Sequence, residues 1–259
     1  MQNEPIRSRT NALVKLVREV RARRRDDLVV VEGERLVAEV TADGRAVEAL
    51  VACEDADLSA ALAAHPLLRR ATASVMEAIS GLTNGPGVVA LVAAPAIAPL
   101  ADYRPAREGG SVLLCVSGVA DPGNLGALAR SAEAVGARGI AVAPGGAHPF
   151  GDKALRGSMG SLLRLPVFHL DEPAVLARAG VRSVVAATRG GTDYRRFDWS
   201  GPVALWVTGE TGRATVAPPT DAEAVTIPMA GATESLNAAC ATTLLLFEAI
   251  RPPAPTPLP

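Results

Sequence analysis

Residues 225–251 constrain the fold of this chain more than any other stretch. The stretch opens with the β-branched residues Val225 and Thr226, which favour the end of a strand. Residues 228–232 carry little side-chain bulk, so their backbone groups are accessible to a ligand. A helix is predicted to follow, with Thr233 as its cap. Helical spacing predicts that its buried face is formed by Leu236, Cys240, Thr243, Leu244 and Phe247.

Composition limits the class of protein and the kinds of partner. The 259 residues suffice for one large domain or two small ones, and 49% of them are hydrophobic. Only 3% are aromatic, so platforms for stacking exposed bases are scarce. The net charge of −1 does not indicate a nucleic-acid binder, but residues 1–25 carry eight Arg and Lys side chains against two Glu. This basic segment is interpreted as a phosphate-binding arm, with a solvated helix face as the alternative.

The cysteines and the amino terminus indicate a cytoplasmic protein. Cys53, Cys115 and Cys240 are far apart in apolar stretches, so they are predicted to be buried free thiols. No Cys or His spacing matches a metal site, and no metal is expected. The polar, arginine-rich start does not resemble a signal peptide, and no apolar run has membrane-spanning length. The expected location is the cytoplasm, with no membrane partner.

The first 94 residues alternate between helical and strand patterns, which predicts a small domain with a sheet covered by helices. Helices are expected over 11–24, 34–40, 58–64 and 74–79, and strands over 28–33, 47–51 and 88–93. Glu32 is interpreted as a structural anchor. Residues 95–110 are rich in Pro and Ala, and they are predicted to be a semi-extended linker.

The second half begins with a fully apolar strand, 111–117, followed by a glycine-containing turn and an amphipathic helix over 125–135. The turn and helix read Asp121-Pro-Gly-Asn124-x-Gly-x-x-x-Arg130. The glycine pattern is GxxG instead of GxGxxG, so a nicotinamide-dependent dehydrogenase is disfavoured. Further strands are expected at 140–143, 184–187 and 203–207.

Two of these strings resemble family motifs. Asp121 to Arg130 is similar to the first motif of the SpoU (TrmH-like) RNA ribose 2′-O-methyltransferases, within the SPOUT superfamily. The string Pro-Met-x-Gly-x-x-x-Ser-Leu-Asn, at 228–237, resembles the third motif. The second motif departs from the usual Gly-Asn-Glu-Gly-x-Gly, because residues 208–213 read Thr-Gly-Glu-Thr-Gly-Arg and keep only the glutamate, Glu210. The resemblance covers about 11–251 and leaves a Pro-rich tail, 252–259, predicted to be disordered.

The resemblance implies an α/β protein of two domains. Residues 1–94 would form an L30e-like RNA substrate-binding domain, and 111–251 a SPOUT methyltransferase domain with a trefoil knot. It also implies a homodimer and an S-adenosylmethionine cofactor held by three loops. The residues implied in cofactor binding are Thr188, Val207, Gly209, Ile227, Met229 and Leu236.

The same resemblance implies a catalytic arginine, Arg130. A guanidinium is a poor base because its pKa exceeds ~12, and its planar fork suits a phosphate. Arg130 is therefore expected to clamp the phosphate beside the target ribose and to polarise the 2′-hydroxyl. The other implied catalytic residues are Asn124, Glu210, Ser235 and Asn237, the last two in the first turn of the final helix. Predicted RNA contacts are Arg7, Arg9, Arg23, Arg24, Arg25, Arg156 and Ser158.

Three functional hypotheses follow. Methylation of ribosomal RNA, most of all 23S RNA, is favoured because the transfer-RNA members of the family typically lack the extra amino-terminal domain. Methylation of transfer RNA is the close alternative. The atypical 208–213 loop motivates the third, an RNA-binding or assembly homologue with weak catalysis.

Overall fold

The structure is a computed structural model that describes residues 4–81, 87–106, 111–209 and 214–251. The described residues form nine α-helices, a short 3₁₀ turn and twelve strands. The helices are α1 (Ala12–Arg21), α2 (Glu34–Ala42), α3 (Ala60–Ala63), α4 (Ala73–Ile79), α5 (Pro122–Ala134), α6 (Asp152–Gly157), α7 (Ser161–Arg164), α8 (Ala174–Arg178) and α9 (Ala238–Ala249). The strands are β1 (Leu28–Glu32), β2 (Val47–Cys53), β3 (Leu68–Ala71), β4 (Val88–Ala93), β5 (Ile97–Pro99), β6 (Ser111–Ser117), β7 (Gly139–Val142), β8 (Val167–His169), β9 (Arg182–Ala186), β10 (Thr192–Asp193), β11 (Pro202–Thr208) and β12 (Glu223–Thr226).

The amino-terminal part contains a four-stranded sheet in the order β1-β4-β2-β3, with β4 antiparallel to both of its neighbours. Helix α1 begins at the Asn11 cap, whose side chain accepts a hydrogen bond from the Leu13 amide at 2.9 Å. It buries Val14, Val17 and Val20 against the sheet. The predicted helix-covered sheet is confirmed, although α1 ends at Arg21, three residues earlier than expected.

The carboxy-terminal part is organised on an eight-stranded sheet in the order β10-β12-β9-β11-β6-β7-β8-β5. Its paired strands are all parallel. Strand β6 is buried at every position, as its apolar sequence predicts, and it lies between β11 and β7. The order of the strands therefore reverses beside β6, where the chain crosses from one half of the sheet to the other.

The segment predicted as a linker, 95–110, contributes one short strand to this sheet. Strand β5 pairs with β8 at the sheet edge, and the 3₁₀ turn that follows buries Leu100. Tyr103 is buried with its ring edge against Phe168, at a centroid distance of 5.6 Å. The Pro and Ala content indicated an extended backbone but could not show that the backbone would join a sheet.

The final helix differs from its prediction in two ways. It begins at Ala238, with Asn237 as its cap, so Thr233 is not the cap and Ser235 lies before the helix. The face predicted to be buried is turned outward: Leu236, Leu244 and Phe247 are 40%, 43% and 53% exposed, and Cys240 is also exposed. The buried side chains are instead Ala239, Thr242, Leu245, Leu246 and Ala249. Because α9 is apolar on almost every side, its periodicity could not identify the buried face.

The cysteine prediction needs a related correction. Cys115 is fully buried on β6, and burial raises the pKa of its thiol. Cys53 is only partly buried, and Cys240 is exposed on α9.

Candidate functional site

A pocket of about 470 Å³ opens at the carboxyl ends of β9, β11 and β12, the edge where parallel sheets commonly bind ligands. We call it the carboxy-terminal pocket. Its lining contains all six residues predicted to bind a cofactor, together with Ser235. The full lining is Ala186, Ala187, Thr188, Arg189, Val207, Thr208, Gly209, Val225, Ile227, Met229, Glu234, Ser235, Leu236, Ala238, Ala241, Thr242 and Leu245. Three separate loops thus meet at one site.

Gly209 occupies a position with no room for a side chain. Its amide donates to the Ser117 carbonyl at 3.0 Å, which ties the end of β11 to the end of β6. A Cβ at this position would lie 2.1 Å from the carbonyl oxygen of Gly118. The glycine therefore allows two backbones to approach closely at the pocket wall.

The loop before α9 forms another wall of the pocket. Met229, Ser235 and Leu236 contribute to it. The Asn237 side chain instead accepts hydrogen bonds from the amides of Ala239 and Cys240, at 2.9 and 3.4 Å, and so caps the helix. Asn237 therefore caps α9, whereas Ser235 lines the pocket.

Arg130 lies elsewhere, in a cleft of about 970 Å³ between the two parts of the molecule. We call this the interdomain cleft. Its amino-terminal wall comprises Glu32, Gly33, Glu34, Arg35, Leu36, Glu39, Ala42 and Asp43. Its carboxy-terminal wall comprises Arg130, Glu133, Ala134, Arg156, Ser158, Met159, Ser161 and Arg164. The Arg130 side chain is on the exposed face of α5.

Among the described residues of one chain, the predicted catalytic residues do not line one common cavity. Asn124 lies in the first turn of α5, where its backbone N–H donates to the capping carboxylate of Asp121 at 2.8 Å. Lys153 also reaches Asp121, at 2.8 Å, and lowers the pKa of that carboxyl. Ser235 is in the carboxy-terminal pocket, whereas Arg130 is in the interdomain cleft. Glu210 falls outside the described residues.

Glu32 anchors the two domains to each other, as predicted for a structural residue. Its side chain is 2% exposed and pairs with Arg21, which in turn pairs with Asp152 on α6. It also accepts from the Gly81 amide at 2.8 Å and lies 3.5 Å from Nη1 of Arg156. Burial lowers the pKa of Arg21, and the charge of Glu32 acts in the opposite direction. These ionic contacts, which sequence reasoning did not anticipate as a set, connect β1 to α6.

The predicted RNA contacts on α6 require correction. Arg156 is only 30% exposed and faces Glu32 at the base of the cleft. Its guanidinium is therefore engaged with that carboxylate and is not a free cation on the surface. Ser158 is fully buried, and its hydroxyl donates to the Leu155 carbonyl at 2.9 Å. An RNA contact through the Ser158 side chain is therefore incompatible with this structure.

The arginines near the amino terminus do not form a single free arm. Arg7 and Arg24 are exposed, but Arg9 donates to Ser74 at 3.1 Å. Arg25 makes a bidentate pair with Asp27, at 2.8 and 2.6 Å. Arg23 has a φ of 58° and reaches across the domain boundary to Nε2 of His148, at 2.7 Å. Arg9 and Arg23 are thus held by contacts with residues far away in the sequence, Ser74 and His148.

Within the described ranges, no group of three or more His, Cys, Asp or Glu side chains could hold a metal ion. No helix in the same ranges combines the length and the apolar character needed to cross a membrane.

Comparison with known families gives a match for each half of the chain. Residues 111–247 match the model of the SpoU rRNA Methylase family. The chain belongs to that family. Residues 8–90 match the MRM3-like substrate binding domain, in agreement with the predicted role of the amino-terminal domain. The predicted fold class is supported by both matches.

Two curated relatives illustrate the similarity. The 23S rRNA (uridine(2479)-2′-O)-methyltransferase of Streptomyces viridochromogenes is 39% identical over 176 residues, which is 64% of this chain and 60% of that protein. The 23S rRNA (guanosine(2553)-2′-O)-methyltransferase RlmP of Bacillus subtilis (strain 168) is 30% identical over 234 residues. That alignment covers 87% of this chain and 89% of RlmP.

Solved structures agree over nearly the whole molecule. The AdoMet-bound rRNA methyltransferase from Sinorhizobium meliloti has a TM-score of 0.79 and 31% identity, covering 95% of this chain and 97% of its own. The SpoU methyltransferase AviRb from Streptomyces viridochromogenes, in complex with the cofactor AdoMet, has a TM-score of 0.78 and 30% identity. It is matched over 93% of this chain and 97% of its own.

Proposed function

We propose that this protein transfers a methyl group from S-adenosylmethionine to a ribose 2′-hydroxyl of 23S ribosomal RNA. The observation that carries the proposal is the meeting of all six predicted cofactor residues in the carboxy-terminal pocket. Relatives of the same family, described as 23S rRNA 2′-O-methyltransferases, and neighbours with bound AdoMet support both the reaction and the cofactor.

The residues of the carboxy-terminal pocket suit an adenosyl ligand. The apolar side chains of Ile227, Met229 and Leu236 would flank an adenine ring, and exposed loop backbone would bond its polar edge. When bound, the cofactor supplies an electrophilic methyl group. Ser235 lies on the same wall and would orient the acceptor ribose. Positioning of this kind can supply much of the rate enhancement.

Arg130 is assigned to the RNA side of the reaction. Its exposed guanidinium would hold the phosphate beside the target ribose and donate hydrogen bonds to oxygen as charge develops there. The hydroxyl proton would leave to solvent when the new oxygen–carbon bond forms. Asn124, at the start of the same helix, would orient the ribose, and Glu210 remains a predicted catalytic residue.

A homodimer is part of the proposal. The outward face of α9 and the loop before it expose Leu236, Leu244 and Phe247, which a second copy would cover. Arg130 and the carboxy-terminal pocket of one chain lie in different cavities, so a partner subunit could complete the site. Sedimentation equilibrium at micromolar concentration should give the mass of a dimer, and a monomer that is active would refute this part. The trefoil knot and the cytoplasmic location stay predictions.

The test combines cofactor binding with methyl transfer. The purified protein is titrated with S-adenosylmethionine by calorimetry and then incubated with labelled cofactor and either a 23S rRNA transcript or total transfer RNA. Binding with incorporation into the 23S transcript alone supports the proposal. Incorporation into transfer RNA would favour the transfer-RNA alternative, and absence of cofactor binding would favour an RNA-binding homologue that lacks catalysis.

A further inference from the structure

We propose that the interdomain cleft binds an unpaired nucleobase of the RNA against the exposed side chain of Met159. This inference rests on the proposed function and adds to it the place where the base of the substrate is held. The predicted roles assigned Arg130 to a phosphate and Arg156 and Ser158 to RNA contacts, but they placed no base in this cavity.

The cleft has the size and the fixed walls that a base site requires. Its volume of about 970 Å³ falls within the range of small-molecule sites. The two walls are joined below by the contacts of Glu32 with Arg156 and of Arg21 with Asp152. At the side they are joined by Arg164, which bonds Glu133 at 2.6 Å and lies 3.6 Å from Glu39. A cavity held by ionic contacts from both domains keeps its width.

Met159 is held in an unusual conformation where it faces this cleft. Its φ is 49°, one of two positive values among the described non-glycine residues, and its side chain is 43% exposed. Such a conformation costs of order 1–3 kcal/mol and persists where the surrounding structure imposes it. The next residue, Gly160, has a φ of 83°, and a Cβ there would lie 2.5 Å from Cδ1 of Leu36. The turn is therefore pressed against α2 and presents an apolar thioether to solvent.

The charges on the walls distinguish a base from a phosphate. The α2 wall carries Glu34, Glu39 and Asp43. Glu39 is paired with Arg35 and Arg164, so the carboxylates of Glu34 and Asp43 are the ones that would repel a phosphate and can accept hydrogen bonds from base N–H groups. The opposite wall carries Arg130, whose guanidinium can bond a backbone phosphate or stack on a base. The arrangement fits a nucleotide whose phosphate meets Arg130 and whose base enters the cleft toward α2. Unpaired bases are the parts of RNA that proteins read most readily.

The test compares matched truncations of exposed apolar side chains in the full-length protein. Met159→Ala removes the proposed base contact, and Leu67→Ala is the control because Leu67 is also 43% exposed and does not line the cleft. The probe is the 23S rRNA transcript. Met159→Ala should raise the KM for the transcript about tenfold, which corresponds to the loss of one apolar side-chain contact, and leave cofactor binding unchanged. Leu67→Ala should change neither quantity.

A second variant separates contact from folding. Met159→Gly removes the side chain but relaxes the positive φ, so it should fold at least as well as the wild type and show the same rise in KM. In addition, a transcript containing 4-thiouridine should cross-link to peptides with Met159 or α2 when irradiated. Normal KM values in both variants, or cross-links that avoid the cleft while the wild type methylates, would overturn the inference and leave the proposed function intact. Failure of the wild type to bind or methylate the transcript would instead refute the proposed function, and the base site with it.

Discussion

The carboxy-terminal pocket is built mainly from backbone and from small or apolar side chains, with Arg189 and Glu234 as its charged residues. The interdomain cleft has many more charged side chains, and they come from two domains. In the pocket, shape is set by close approaches such as that of Gly209 to Gly118. In the cleft, position is set by buried and half-buried ion pairs around Glu32. The first arrangement suits a neutral ring and a sugar, and the second suits a nucleotide whose phosphate meets Arg130 and whose base faces the carboxylates of α2.

If the two cavities have the roles proposed for them, cofactor binding and RNA positioning depend on separable parts of the molecule. Substitutions in the pocket should change cofactor affinity first, and substitutions in the cleft should change RNA-dependent turnover first. Each prediction below tests whether the two sites can be uncoupled, beginning with the largest effect.

Arg130→Ala should give the largest loss. Because the guanidinium is assigned to the phosphate and the reacting oxygen, its removal should lower the methylation rate by roughly 10²–10³-fold while S-adenosylmethionine binds as before. Single-turnover methyl transfer and calorimetry measure the two quantities. Arg178→Ala is the control, since Arg178 is an exposed arginine that lines neither cavity. Full turnover in the Arg130 variant would remove Arg130 from the mechanism.

Gly209→Ala should show the opposite pattern. The added methyl group would lie 2.1 Å from the Gly118 carbonyl oxygen, so the backbones must separate at the pocket wall. We expect a loss of about 1–3 kcal/mol in stability and at least tenfold weaker cofactor binding. Gly231→Ala is the matched control in the nearby loop, because a Cβ there meets nothing within 4 Å. Equal cofactor affinity in the two variants would contradict the role given to Gly209.

These two sites also differ in how far the sequence reveals them. The pocket residues belong to short strings with recognisable order, so the resemblance predicted six residues that the structure brings to one pocket. The cleft depends on pairs such as Glu32 with Arg156 and Arg23 with His148, which are more than 100 residues apart. No local pattern reports such pairs. The outward face of α9 was missed for a related reason, because an apolar helix gives no sign of which side meets the core.

Glu32→Gln should weaken the attachment between the domains. The variant can still accept from the Gly81 amide, but it leaves Arg21 and Arg156 without their shared counter-charge. Removing one partner of a buried ion pair predicts a loss of about 3 kcal/mol in the free energy of unfolding. The KM for RNA should rise, and cofactor affinity should stay within about twofold. Glu48→Gln, at an exposed position on β2, provides the control.

The interpretation of Glu32 fails if the variant loses cofactor affinity as strongly as it loses RNA-dependent turnover. It also fails if urea unfolding gives the two Glu variants the same stability. The first result would mean that the two cavities are coupled, and the second that the ionic contacts of Glu32 do not stabilise the attachment between the domains.

The smallest effect should come from another contact across the domain boundary, between Arg23 and His148. Both ring nitrogens of His148 face N–H groups, of Arg23 at 2.7 Å and of Phe150 at 3.0 Å. Burial, with the charge of Arg23, lowers the pKa of His148 from 6.5 to about 4. Between pH 6.5 and about pH 4, the unfolded chain binds a proton at this histidine and the folded chain does not. The free energy of unfolding therefore decreases progressively as the pH falls through this range. Urea midpoints at pH 7.5 and pH 5 should therefore differ more for the wild type than for His148→Gln. If the substitution leaves the pH dependence of the urea midpoint unchanged, the titration belongs to other groups, and His148 does not contribute to the stability in the way inferred from its contact with Arg23.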